Sequence, residues 1–258
     1  MAAQRVAPQA GHREGVVDQQ RPVLDQRLAA YKRYVDQPWP DSRADEFWRS
    51  TPFDRRISID RDLVATATNA ETPASITEAI EAETALARIV DGTLVDATVP
   101  QTLADQGVIV TDLVTAAVDH ADLVKDALGS LTTVNRDGTG ADEDRTITAN
   151  DAAWTAGVFV YVPAEVEITT PIGIHIHVSE PGAHLPRALI MVEHHAKATI
   201  YVEHTSAEGV DALVDEVVEV IAKDGSEVQF ASLQSWAPQI QHLALQKVQA
   251  HRDTTVRT

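Results

Sequence analysis

From Gly157 to Gln249 the chain is a succession of short apolar runs separated by Pro, Gly or Asp-Gly. It opens GVFVYVPAEVEITTPIGIHIHV, continues through RALIMVEHHAKATIYVEH, and reaches DEVVEVIAKDGSEVQFASLQSW. β-branched and aromatic residues fit a pleated surface, and the intervening Pro and Gly turn the chain. No segment of ordinary helical length interrupts the runs between Val158 and Tyr201. Stacked short strands without crossover helices imply a β-solenoid, a sandwich or a barrel. Val158, Val160 and Val162 alternate with Phe159 and Tyr161, so both faces of this strand are apolar, the pattern of burial on two sides. In IGIHIHV, Ile172, Ile174, Ile176 and Val178 share one face, and His175 and His177 share the other. Residues 210–222 fit a helical and a strand period about equally, and the Asp224–Gly225 turn followed by EVQFASLQ favours strands.

Four segments in order, GVFVYVP-x-x-V-x-x-x-x-P-I, P-R-A-L-I-M-V, VEH-x-S-A and E-V-x-F-x-x-L-Q-S-W, resemble the SufB/SufD family of iron–sulfur cluster assembly scaffolds. The resemblance runs from roughly Trp48 to the C-terminus. It implies a mainly β fold: a right-handed parallel β-helix core preceded by a smaller N-terminal α/β helical region. Trp48, Arg49 and Thr51 resemble the WRYT-like segment before the core, where aromatic anchoring of a loop is the simpler role. Gln234 and Trp236 resemble the family's QNW-like segment, which lines an internal route for sulfur or cluster transfer in SufB-type members. The competing role is a ladder Gln and a packed Trp. Lys247 and Arg187 sit where the family carries basic residues, and the resemblance adds them to that route.

Two departures point to the SufD side of the family. Ala164 stands where SufB-type chains have a Lys, and Thr205 where they have a Cys. With no cysteine anywhere, the chain has no thiolate to accept persulfide sulfur, and disulfides and Cys-ligated zinc are excluded. The resemblance therefore implies a SufB-like partner, met through the β-helices, and a SufC-like ATPase. The family's SufC contact and its late β-helix His lie beyond Thr258, which puts SufC binding and cluster ligation by this chain in doubt. The iron–sulfur cluster is then expected at the level of the complex, and a homodimer is the other pairing to consider. An uncapped solenoid end is also expected.

Ahead of the core, residues 1–20 read as a disordered tail, 21–145 as a mixed helical domain and 146–258 as the β-helix core. Leu24, Leu28, Tyr31 and Val35 recur at helical spacing across Pro22–Val35. Thr72–Leu86 has helical composition. ARIVDGTLVDATV reads as a hairpin about Asp91–Gly92, and Gly107–Asp112 as a short strand. Thr111 or Asp112 caps a helix over Leu113–Leu128, with Gly129 as its stop. Residues 135–145 form a polar loop, whose Asp142–Asp144 run lacks the alternating ligands of a calcium loop, and 147–157 a short helix.

Seven of the ten histidines lie between 175 and 242. His175 and His177 would ligate zinc or iron if a neighbouring coil brought His194 or His204 alongside; otherwise they are polar residues on an exposed strand face. No catalytic residue is assigned, since Gly-x-Ser-x-Gly, a P-loop and G-x-G-x-x-G are all absent. Two rivals remain: a carbohydrate-active β-helix enzyme drawing on Glu165, Glu167 and Glu216, and a self-assembling structural solenoid. No apolar run of membrane-spanning length and no N-terminal apolar signal region occur, so a cytoplasmic location is expected. The net charge is −18, and only five of the 21 basic residues are Lys. That balance disfavours nucleic-acid and anionic-membrane partners and fits a salt-adapted surface. Added salt should screen the self-repulsion and raise the melting temperature in a salt titration. A melting temperature indifferent to ionic strength would contradict the salt-adapted reading.

Overall fold

The computed structural model describes residues 21–44, 46–51, 57, 61–65, 85–132 and 145–258. The expected tail, and all but the last residues of the expected 72–86 helix and 135–145 loop, lie outside the described residues. Twelve strands are described: β1 (Leu86–Val90), β2 (Thr93–Thr98), β3 (Ile109–Asp112), β4 (Ala156–Val162), β5 (Ile172–Val178) and β6 (Gly182–His184), followed by β7 (Pro186–Val192), β8 (Lys197–Ser206), β9 (Ala212–Ala222), β10 (Glu227–Ser235), β11 (Ile240–Ala250) and β12 (Thr255–Arg257). From β4 onward the chain alternates between two sheets, ordered β12-β10-β8-β5-β1-β2 and β11-β9-β7-β4-β3. The pairings from β4 to β12 are all parallel, and the result is a β-solenoid of about three turns. β9 is a strand with all eleven residues buried, which resolves the ambiguity over 210–222.

The corners repeat. Left-handed residues occur at Glu165, His195, Gly225 and Asp253. The amide of each of the first three donates to a carbonyl of the next coil: Glu165 to His194, His195 to Asp224, and Gly225 to Arg252. Backbone groups that a turn would leave unpaired are thereby satisfied. At Gly225 the φ of +71° and the imidazole of His195, 2.3 Å from where a Cβ would stand, leave no room for a side chain.

Between the sheets lies an apolar interior built from alternate residues. Val158, Val160 and Val162 of β4 meet Ile172, Ile174 and Ile176 of β5, with Ile190, Ile200, Val202, Val218, Val220, Val228 and Phe230 stacked in later coils. The hairpin β1–β2, turning at Asp91–Gly92, adds to the first sheet, β1 running parallel to β5. The buried Asp91 carboxylate accepts from the Ser179 and Glu180 amides at 2.7 and 3.0 Å, fastening the turn to the end of β5.

The outer face of the second sheet is apolar as well, as Phe159 and Tyr161 imply. Phe159, Leu189, Met191 and Ile221 are covered by Leu113, Ala116, Val124, Leu128, Leu131 and Trp154. All but Trp154, which follows the helix Arg145–Ala153, come from α3 (Leu113–Asp119), α4 (Ala121–Val124) and the turns after it, while α2 (Gln101–Ala104) precedes β3. Asp112 caps α3 by accepting from the Thr115 amide. The single helix expected over 113–128 is instead broken at His120, whose φ and ψ of −128° and 39° are not helical. The break lets both segments bury side chains in one cluster. α1 (Arg21–Asp36) forms as expected and packs against α5 (Arg145–Ala153). Its contact face differs from the expected one. Val23 and Ala30 are buried and Arg27 stacks on Trp154 at 3.8 Å, whereas Leu24, Leu28 and Val35 are exposed.

Candidate functional site

Polar side chains are gathered in three places around this frame. The first is inside the solenoid. β8 turns Ala198, Ile200, Val202 and then His204 inward, and β9 turns Ala212, Val214, Glu216 and Val218 inward. His242 of β11 pairs in register with Val214, and so enters the same space one coil on. His204, Glu216 and His242 each offer a ligating atom, all within 4.8 Å of one another. Their side chains are 0%, 1% and 8% exposed, so water does not stabilise the charge. Burial pushes the Glu216 carboxyl up, but the adjoining His204 and His242 rings outweigh it and hold the group down at about 2. The carboxylate spans the two rings, Oε1 lying 2.9 Å from His204 Nε2 and Oε2 3.4 Å from His242 Nε2. Trp236 closes the cluster, its ring centroid 5.3 Å from that of His204 and 5.4 Å from that of His242. Its indole N–H donates to His242 Nδ1 at 3.1 Å.

The second cluster lies under the helices, on the outer face of the second sheet at its central strands β7 and β9. Arg187 is fully buried and donates to Glu219 at 2.5 Å, to Asp151 and to Asn150. Desolvation alone would lower the guanidinium pKa, and the two carboxylates reverse that and raise it. Glu219 also accepts from the Gly129 and Leu131 amides, both at 3.0 Å, and Lys247 donates to the Leu131 carbonyl at 2.9 Å. The cluster pins the 129–131 turn and α5 onto β7 and β9.

The third is the pair His175 and His177 on β5. Both are buried, which corrects the alternative of an exposed strand face. His175 Nε2 and His177 Nδ1 each lie 2.8 Å from the Thr205 hydroxyl, so Thr205 joins the rings. Burial pulls the His177 pKa down, against a weaker pull upward from Asp91. Neither proposed third ligand arrives. His204 is in register with Ile176 and points to the opposite face, and His194 is exposed at a corner beside Glu193.

The four residues of the implied transfer route therefore divide. Gln234 is in register with His204 and exposed, and Trp236 packs on the interior histidines. Arg187 and Lys247 belong to the buried ionic cluster on the far side of the second sheet. Glu216 is the residue whose role sequence reasoning missed, placing it only among the acids that a carbohydrate-active enzyme would draw on. A carboxylate interrupting the inward row Val214, Val218, Val220 would have marked it, had 210–222 been fixed as a strand.

The family model described as "SUF system FeS cluster assembly, SufBD core domain" matches residues 175–258, and that described as "SufBD protein N-terminal region" matches 11–174. The iron–sulfur cluster assembly protein SufD of Bacillus subtilis is 34% identical over 136 residues, covering 52% of this chain and 30% of that protein. SufB of the same organism is 26% identical over 157 residues, 60% of this chain and 32% of its own length. A SufBD family protein of Staphylococcus haemolyticus is 27% identical over 154 residues, 58% of this chain and 31% of its length. The matched stretch thus spans about a third of the length of these relatives. Among the described residues, no helix is long and apolar enough to cross a membrane.

Replacing Arg187 with Met should leave Glu219 buried without its cation and cost about 3–5 kcal/mol in chemical denaturation. Adding Glu219→Gln should restore part of that loss. An R187M chain as stable as the parent would show that the cluster does not hold the helices to the sheet.

Proposed function

We propose, for a chain that belongs to the SufB/SufD family of iron–sulfur cluster assembly proteins, the role of a non-catalytic, SufD-like scaffold subunit. It pairs with a SufB-like subunit through the β-solenoid and depends on a SufC-like ATPase for energy, in the cytoplasm. The iron–sulfur cluster is the cargo of the complex. The observation that carries this reading is the match of both family models, end to end, over a chain without a single cysteine. A scaffold that supplies surface and an internal polar path, while its partner supplies the thiolate, fits that composition.

The carbohydrate-active alternative needs paired carboxylates on one accessible face. Glu216 is buried between two histidines, whereas Glu165 and Glu167 are exposed at a corner of the solenoid. Buried Glu216 therefore cannot join Glu165 or Glu167 on one accessible face.

Co-expression of this chain with SufB-like and SufC-like proteins from the same source, followed by capture on this chain, tests the proposal. Recovery of the SufB-like protein is the expected result. A folded chain that captures no SufB-like protein, and instead self-associates with rising concentration, would favour the self-assembling solenoid.

A further inference from the structure

The interior cluster contains more than a scaffold needs for packing, and its hydrogen atoms can be counted. The Leu233 carbonyl can only accept, so His204 Nδ1, 3.1 Å away, must carry a proton and donate it. The Trp236 indole can only donate, so His242 Nδ1 must be a bare acceptor. A neutral His242 then carries its proton on Nε2, facing Glu216 Oε2 at 3.4 Å, yet neither atom makes a hydrogen bond of good geometry. A neutral His204 would present the Nε2 lone pair to a carboxylate oxygen 2.9 Å away, two acceptors in contact within a water-free interior. That axis must hold a positive charge, either a proton or a metal ion.

We propose that His204, Glu216 and His242 form a binding site for a single divalent transition ion, latched by Trp236. Two imidazoles and one carboxylate are the donor set that zinc and ferrous iron accept, and they leave a coordination position open. In a tetrahedral site with bonds of about 2.0–2.1 Å, donors stand about 3.3–3.4 Å apart. His204 Nε2 stands 2.9 Å from Glu216 Oε1 and His242 Nε2 3.4 Å from Oε2, and one ligating atom from each residue lies within 4.8 Å of the others, so small side-chain shifts reach that spacing. The Nδ1–H of His204, held by the Leu233 carbonyl, is the outer contact that turns Nε2 into a ligand. His242 is in the opposite tautomer. For its Nε2 to ligate, the ring proton must move to Nδ1, and the indole N–H must release that nitrogen. Trp236 is only partly buried and follows the end of β10, so the ring has somewhere to go. The ion replaces the proton on the His204–Glu216 axis, so uptake expels it. This site does not depend on the scaffold reading, because it rests on the geometry of three buried side chains of this chain alone.

Cobalt(II) is the probe, since its visible absorption reports nitrogen and oxygen ligation directly. The intact chain should take up one cobalt with a visible spectrum, and zinc should raise its melting temperature. Trp236→Phe, which removes the competing N–H, should bind cobalt several-fold more tightly. Glu216→Gln and His242→Gln should each lose the spectrum and the zinc-induced shift while keeping the circular dichroism of the parent. The proposal is overturned if the parent takes up no cobalt. It is equally overturned if E216Q and H242Q bind as well as the parent, which would place the ion on surface histidines. The zinc shift of the parent chain stands as a test by itself should a variant fail to fold.

Discussion

In-register parallel stacking is the constraint on which the rest of this molecule depends. Each strand from β4 to β10 lies over its counterpart one coil on, so an inward position in one coil faces inward in the next. A one-residue slip would turn every valine and isoleucine of a coil outward and every polar neighbour inward. Left-handed corners repeat at Glu165, His195, Gly225 and Asp253, and the amides of the first three bond from coil to coil. The hydrophobic interior and the backbone ladder therefore specify the same register.

Within such a stack a polar inward residue cannot be hidden by rotation, so it must find partners inside. The same need holds for buried residues on the outer face, and two of the three polar clusters meet it in different ways. On the outer face, Arg187 is enclosed by Glu219, Asp151 and Asn150, and the two nearest amides and Lys247 complete the network. Only the Arg187 Nε is left without an aligned partner there, and the cluster works as a fastener between the helical layer and the solenoid. In the interior, His204, Glu216 and His242 are partnered incompletely, with Glu216 Oε2 and His242 Nε2 left without aligned hydrogen bonds. Buried groups left short of partners are costly, and the cost is tolerated where a ligand or a proton completes the set.

Much of this was legible in the residues. The alternation in GVFVYV and IGIHIHV assigned faces correctly, because period two survives in any strand, whatever its neighbours. The Asp91–Gly92 hairpin and the Asp112 cap follow from local turn and cap chemistry. What failed was long-range. The contact face of α1 was misread because Arg27 buries its stem on Trp154 while leucines stay exposed, a choice made by a partner 127 residues away. The His175–His177 pair looked open to His204, but only the inter-strand register shows that His204 sits over Ile176 and faces inward. Arg187 and Lys247 were grouped with Gln234 and Trp236 by resemblance alone, and the sheet separates them by face. Glu216 acquires meaning only once three coils are superposed.

The scaffold role and the proposed metal site inside the solenoid meet in one measurement. Cluster formation on a mixture of this chain with SufB-like and SufC-like proteins, followed by visible absorption, should be compared between the parent and the double variant E216Q/H242Q. The account predicts an assembled complex in both cases and slowed or lost cluster formation in the variant. Equal rates and yields of cluster from the two complexes would contradict it, leaving the interior residues as packing alone.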